Sequence, residues 1–324
     1  MAVRQITAID GNIAAVRKQH PGGLHFVVGD THGEVWTLRA LMEKIAFNPE
    51  LDHVFFVGDY NGGGSVRDLL GYIALYYQED CSLPGFHMIR GNHEWELMPV
   101  YPLANLPDII VYCGDNLNYF IVHAGMVSSA FDLILKDMAE DPAGRLFSYR
   151  LDRPCVDKDA PLRQLIWSRR GLYSQKSRWQ VWARTDDLVN NYAYIIHGHT
   201  PYCFFKNQYF GYGDNSLFWE PQKIWFSEDL CSFNIDSNIK GRYENGESSR
   251  GLTCLCLEVL EEIAAANDCY LSVDSLAEGP NGVFSVPYRS GWPTEAYGDI
   301  NRILKATPKM KTITLDENRK PVIV

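Results

Sequence analysis

A chain of 324 residues and 36.9 kDa, 46% hydrophobic and with 26 glycines, can bury one large core, or one large core and a smaller appendage, as an enzyme-sized protein does. Forty Asp and Glu against 30 Lys and Arg leave a formal charge of -10 and a pI near 5.4. That balance removes the electrostatic drive for nonspecific duplex binding and argues against an obligate nucleic-acid partner.

Ile6, Ile9, Ile13 and Val16 recur at helical spacing until Pro21-Gly22-Gly23, which predicts a helix over residues 4–19. "LHFVVGD" (24–30) reads as a buried strand, and the stripe Val35, Leu38, Leu41/Met42, Ile45 as the helix after it. The unit repeats in "HVFFVGD" (53–59), followed by a helix marked by Val66, Leu69/Leu70, Ile73 and Tyr77, and again in "GFHMIRGNHE" (85–94). Strand and helix alternating in this way predict an α/β layered fold with parallel pairing in part of the sheet.

Next come strands at 109–115 and 117–125 and a helix at 126–141, capped by Ser128 or Ser129. Residues 142–190 are rich in Arg, Trp and Asp and are expected to form short helices around 160–167 and 178–190. Strands at 192–199, 223–227, 230–236 and 251–260 then predict a mixed or antiparallel sheet facing the first. The expected division is a domain over 1–273 and a C-terminal extension, 274–324, with no strong period.

The eight cysteines form no CxxC pair and read as buried small hydrophobes of a reducing compartment. No stretch approaches 18 uncharged apolar residues, and the N-terminus carries no leader pattern, so a cytoplasmic protein without a membrane partner is expected.

Chemistry gathers at the strand ends: Asp30 and His32 in "GDTHG", Asp59 in "GDYNGG", Asn92 and His93 in "GNHE", His123 in "HAG", His197 and His199 in "IIHGHTP". In an open α/β sheet such positions converge on the crevice at the carboxyl ends of the strands. Carboxylate, imidazole and amide carbonyl suit borderline-to-hard divalent ions, in number enough for two. Taken singly, each is more often a turn or a satisfied histidine. Five in series make that reading improbable together, whereas His20, His25, His53 and His87 keep it.

These motifs resemble, in order, the series of the calcineurin-like metallophosphoesterases, and most closely the bacterial branch of the phosphoprotein (Ser/Thr) phosphatases. "LIWSRR" (165–170) and "FNID…GLTCLCLE" (233–258) extend the likeness to roughly residues 24–260. The resemblance implies a metallophosphoesterase-type β-sandwich of two mixed sheets flanked by helices. It implies Asp30 and His32 on a first metal, Asp59 bridging, and Asn92, His123 and His199 on a second. His93 matches the general acid, and Asn92 also contacts substrate phosphate. His197-Gly198-His199 has the spacing of a double ligand, but "GHT" favours His199 alone.

The glycines after Asp59 depart from the pattern. A Walker-type loop needs Gly-Lys-Ser/Thr, and here Ser65-Val66-Arg67 follows Gly62-Gly63-Gly64. The family's Gly-Asp-x-x-Asp-Arg-Gly places an orienting Asp and a phosphate-gripping Arg where this chain has Gly62 and Gly63. Either the glycines make a tight turn of positive φ, or they open the mouth of the site and shift substrate preference toward bulkier or multiply charged phosphoesters. Phosphate must then be held by the metals, by backbone N–H groups or by other arginines: Arg169 matches the branch's second phosphate-binding arginine, and Arg90 precedes "GNHE", with Arg67 and Arg170 as surface candidates. Glu94, Glu96 or Asp68 could orient His93.

The expected function is hydrolysis of phosphomonoesters, on a phosphorylated protein or a small molecule, by attack of a dimetal-bound hydroxide with His93 protonating the leaving group. Mn is the expected metal, with Fe or Zn also suited. A nucleotide pyrophosphatase or phosphodiesterase on the same site, served by the aromatic run 209–226, and a non-enzymatic scaffold are the alternatives.

Overall fold

The computed structural model describes residues 4–7, 13–96, 103, 105–126, 128–152, 162, 192–202, 216–220, 224–228, 231–241, 250–277, 282–291 and 297–324. The helices expected at 160–167 and 178–190, Arg169, Arg170 and most of the aromatic run 209–226 lie outside them.

Three apolar runs form the parallel strands β2 (His25–Val28), β3 (His53–Phe56) and β4 (Gly85–Met88), with His25 opposite His53 and His53 opposite Gly85. Helices α2 (Val35–Lys44) and α3 (Val66–Tyr76) make the crossovers. α3 starts where the Ser65 hydroxyl accepts from Asp68 N–H at 3.3 Å, a side-chain cap on an otherwise orphaned donor. β12 (Gly251–Cys256) runs antiparallel to β2, and β13 (Val283–Pro287) antiparallel to β12, completing a five-stranded mixed sheet.

Among the described residues the larger sheet has ten strands. Its middle strands are β6 (Leu117–Val122) and β8 (Tyr192–His197), parallel to each other; β5 (Ile109–Cys113) lies antiparallel to β6, and β11 (Ser232–Asn234) parallel to β8. β10 (Ile224–Ser227), β9 (Ser216–Glu220) and β1 (Arg4–Thr7) continue one edge; β7 (Leu146–Leu151), β14 (Lys311–Leu315) and β15 (Pro321–Ile323) continue the other.

Side-chain alternation stacks the layers. Phe26, Val28, Val54 and Phe56 pack outward on Leu38, Leu41, Leu69 and Ile73 of α2 and α3, while Val27, Phe55 and Val57 point inward against Ile121, Tyr194 and Ile196 of the larger sheet. The outer face of the larger sheet, with Phe120, Val122 and Ile195, is covered by Phe131 and Ile134 of α5 (Ser128–Ala139). The result is two mixed sheets face to face with helices outside, the expected sandwich. Both faces of the inner strands are covered, which is why they read as unbroken apolar runs.

Several elements differ from expectation. Within the span predicted as one helix, 4–19, residues Arg4–Thr7 form a strand, β1, paired in parallel with β9, and Ile13–Gln19 form α1; residues 8–12 lie outside the described residues. A partner some 210 residues away, which local periodicity cannot register, overrides helical spacing at Ile6. The strand predicted over 251–260 ends at Cys256, where α6 (Leu257–Ala265) begins; Leu257, Leu260 and Ala264 bury at helical intervals. Strand β7 lies in the Arg-rich stretch where only short helices were expected, burying Tyr149 and Leu151 around the half-exposed Arg150. Ser128 and Ser129 open α5 from within its first turn rather than preceding it. The segment 274–324 supplies β13 to one sheet and β14 and β15 to the other. Among the described residues no helix is long and apolar enough to cross a membrane.

The four histidines set aside in the sequence sit away from the motif ends. His20 Nε2 lies 2.7 Å from Glu262 Oε1 and His25 Nδ1 lies 2.6 Å from Glu258 Oε1. His25, His53 and His87 stack across β2, β3 and β4 with ring separations of 4.6 and 5.3 Å. Burial pushes His53 down to about 4 and His87 to about 3, so the fold holds both neutral where an unfolded chain takes up protons below about pH 6.5. Stability conferred by these groups is therefore intact at neutral pH and lost as pH falls toward 4, with a slope of at most about 2.7 kcal/mol per pH unit. Urea midpoints at about pH 7 and pH 5 check this: His53→Gln/His87→Gln should show a flatter pH dependence than the parent, and an equal slope would refute it.

Candidate metal centre

The carboxyl ends of β2, β3 and β4 meet those of β6, β8 and β11. Asp30 and His32 follow β2, Asp59 follows β3, His123 follows β6, and His199 stands two residues past β8. Asn92 and His93 open α4 (Asn92–Glu96), just beyond β4. Three of these residues sit in the left-handed region, His32 at φ 45°, Asp59 at 54° and His199 at 66°. Non-glycine residues rarely accept that conformation, and it persists where the surroundings over-determine it, as at functional sites.

One group comprises Asp59, His123 and His199, all buried. His123 Nε2 lies 2.9 Å from Asn92 Oδ1, 3.2 Å from His199 Nδ1 and 3.3 Å from Asp59 Oδ1, and Asn92 Oδ1 is 2.8 Å from His199 Nδ1. His123 Nδ1 donates to Val57 O at 2.8 Å, which leaves Nε2 as the lone-pair nitrogen facing this gathering. The second group is His32, Asp59 and His93, so Asp59 belongs to both. His32 Nδ1 donates to Asn61 O at 2.7 Å, again exposing Nε2, which stands 3.9 Å from Asp30 Oδ2 and 4.0 Å from Asp59 Oδ2.

The backbone clamps these carboxylates. Asp30 Oδ2 accepts from His199 N–H at 3.0 Å and Asp59 Oδ1 from His93 N–H at 3.0 Å. Gly198 is required by close approach, since a Cβ there would overlap Asp30 Oδ1. Glu94 accepts from the N–H groups of Asp59 (2.9 Å), Tyr60 (2.8 Å) and Gly91 (2.8 Å), so it ties the second and third motif turns together.

Charge here is unbalanced. Burial first, then Asp236 and Asp59, raises the Asp30 carboxyl well above its ordinary value. Burial and then Asp59 push Glu94 up to about 7. Burial pushes His123 down to about 4, and burial with the Lys240 charge holds His32 well below its usual value. Carboxylates raised toward neutrality beside neutral imidazoles call for added positive charge, and Asp30 Oδ1 is buried with no hydrogen-bond partner among the described residues. That donor set, nitrogen and oxygen without sulfur, fits divalent cations.

The remaining expectations divide. His197 is buried, outside both groups, its Nδ1 3.1 Å from Gly198 O, and burial pushes it down to about 4. Arg90, expected to contact phosphate, is engaged within the fold. Its buried guanidinium gives Nε to Asp108 Oδ1 at 2.9 Å, pairs through Nη2 with Asp108 Oδ2 and Leu151 O, and stacks 4.2 Å over Trp95. Arg67 is exposed in the first turn of α3.

The glycine turn is tight. Gly62 has φ 122°, where only glycine is at ease, and Gly64 N–H bonds to His32 O at 2.8 Å. A Cβ on Gly63 would stand 2.9 Å from that same His32 O, so Asp and Arg cannot simply be put back. Lys240 Nζ and Cε occupy the space that a side chain at Gly62 would take. Two residues of the site carried no expectation. Asp236 falls in the "FNID" stretch counted only toward the resemblance; Lys240 has no local sequence signal, because the tertiary fold alone brings it here.

A sequence model described as calcineurin-like phosphoesterase matches residues 26–203. The symmetrical bis(5'-nucleosyl)-tetraphosphatase of Serratia proteamaculans is 35% identical over 127 residues, 31% of this chain and 42% of that protein. The same-named protein of Erwinia tasmaniensis is 23% identical over 225 residues, 68% of this chain and 69% of that one. The Yersinia pestis protein of that name is 28% identical, again over 42% of its length, so the chain spans under half of two of these three relatives. Among solved structures, a protein serine/threonine phosphatase from Saccharomyces cerevisiae aligns at 14% identity and TM-score 0.46, over 87% of this chain and 84% of that one. A crystal structure of a putative diadenosine tetraphosphatase aligns at 14% and 0.38, over 89% and 99%.

Proposed function

The chain belongs to the calcineurin-like phosphoesterase family, hydrolases of phosphate esters, and we propose that its own substrates are phosphomonoesters, with His93 as the acid. The observation that carries this reading is Asp59, which belongs both to the His32 group and to the His123–His199 group and thereby suits a carboxylate shared by two cations. Asp30 and His32 would hold one ion, Asn92 Oδ1, His123 Nε2 and His199 the other, and Asp59 both. Two divalent ions so bound would supply an activated water and neutralise phosphoryl charge. Asn92 presents its carbonyl to the histidines, leaving its amide N–H groups for a phosphoryl oxygen. His93, the most accessible member with 19% of its side chain exposed, is the proposed donor of the proton to the leaving oxygen. Arg169 is the proposed second phosphate contact, and the metal is proposed to be Mn.

A second reading, hydrolysis of a dinucleoside polyphosphate, is favoured by the names of the relatives from Serratia and Erwinia. Metal-stripped protein reloaded with Mn²⁺ and offered p-nitrophenyl phosphate, bis-p-nitrophenyl phosphate and bis(5'-adenosyl) tetraphosphate separates the two. Faster turnover of the monoester, lost on chelation, is expected. Preference for the tetraphosphate would overturn that in favour of the second reading, and turnover of none would move the protein to a binding role.

A further inference from the structure

Lys240 stands at the end of a tight buried turn after β11, in which Asp236 Oδ1 accepts from Asn238 N–H at 3.0 Å and Asn238 O from Gly241 N–H at 2.8 Å. The turn delivers the ammonium to the edge of the centre. Lys240 Nζ donates to His93 Nε2 at 3.4 Å, and His93 Nε2 is itself 3.7 Å from Asp59 Oδ2. A Cβ on Gly62 would run into Nζ and Cε of this lysine and stand 3.2 Å from His93 Cε1, so the glycine is what leaves the lysine its place. Asp30 and Asp59 expose 1% and 4% of their side chains, whereas His93 and the half-buried Lys240 form the accessible rim.

We infer that Lys240 binds the non-bridging oxygens of the substrate's phosphoryl group beside His93, in the space kept clear by Gly62. The inference rests on the phosphoester reading above. A phosphoryl dianion entering a site ringed by Asp30, Asp59, Asp236 and Glu94 needs a cation at its rim, and the ammonium is a point charge with three rotatable donors. On substrate arrival its hydrogen bond to His93 Nε2 is exchanged for one to a non-bridging phosphate oxygen.

The test compares wild type, Lys240→Ala and Lys240→Arg by calorimetric binding of inorganic phosphate to Mn²⁺-loaded and metal-stripped protein, and by kcat and KM for p-nitrophenyl phosphate. Loss of the lysine should weaken phosphate binding roughly 10- to 100-fold, the worth of one hydrogen bond to a charged group. KM should rise in parallel, with kcat changed less than about 3-fold, and Arg should recover most of the loss. Phosphate affinity within about 2-fold of wild type in Lys240→Ala overturns the inference, as does a wild type that binds no phosphate. A fall in kcat at unchanged phosphate affinity would also overturn it, leaving the lysine a prop for His93. Failure of the phosphoester reading is distinguishable: wild type then turns over no ester, while the phosphate titration still decides the role of Lys240.

Discussion

Asp59→Asn is expected to lower kcat by about 10³-fold or more, because metal assistance to phosphoryl transfer is worth several kcal/mol and each 1.36 kcal/mol is a decade in rate. The carboxylate is common to both groups of potential ligands, and its Oδ1 also accepts the His93 N–H. An amide in its place keeps one oxygen but loses the charge that two cations would share. Metal content per chain should fall with activity, so elemental analysis after dialysis is the companion measurement. His199→Ala should behave like Asp59→Asn, while His197→Ala, outside both groups, should retain its metal and lose less than about 10-fold in rate, below the range of residues that orient ligands. Equal loss from both histidines, or full metal content in Asp59→Asn, would sink the ligand assignment.

His93→Asn is expected to lower kcat about 10²- to 10⁴-fold, the usual range for a general acid, with metal content unchanged. The sharper signature is dependence on the leaving group. p-Nitrophenolate departs with little help, so the loss should be small for p-nitrophenyl phosphate and large for an alkyl phosphate. His93 is suited to this test because its side chain is less buried than those of Asp59 and His123, and its ring meets His32 edge-on at 5.4 Å without joining the tight contacts around Asn92 Oδ1. The same loss for every leaving group would assign His93 to phosphate or metal binding instead.

Local pattern made most of the inner architecture legible. The unbroken apolar runs before Asp30, Asp59 and Asn92 are β2, β3 and β4, because strands covered on both faces have no polar side to reveal. The outer strands were harder to read. β1 and β9 are held by each other, and β7 by β5 and β14, with partners tens to hundreds of residues distant, so their stability is not written in their own periodicity. The switch from β12 to α6 at Leu257 was hidden in a single apolar stretch, where strand and helix have the same composition.

The site follows the same division. By itself, the sequence determined which chemical groups end the strands, in what order, and that nitrogen and oxygen donors without thiolate would gather there, because strand ends are set by local hydrophobicity and turn residues. Only the tertiary structure decided where those groups point. It turned Arg90 away to Asp108 and Trp95, left His197 outside the centre, drew Glu94 onto three backbone N–H groups, and brought Asp236 and Lys240 in from a segment nearly 180 residues beyond Asp59. Direction and long-range approach are properties of packed layers, in which the space left by one residue, such as Gly62, is filled by a side chain no local rule connects to it.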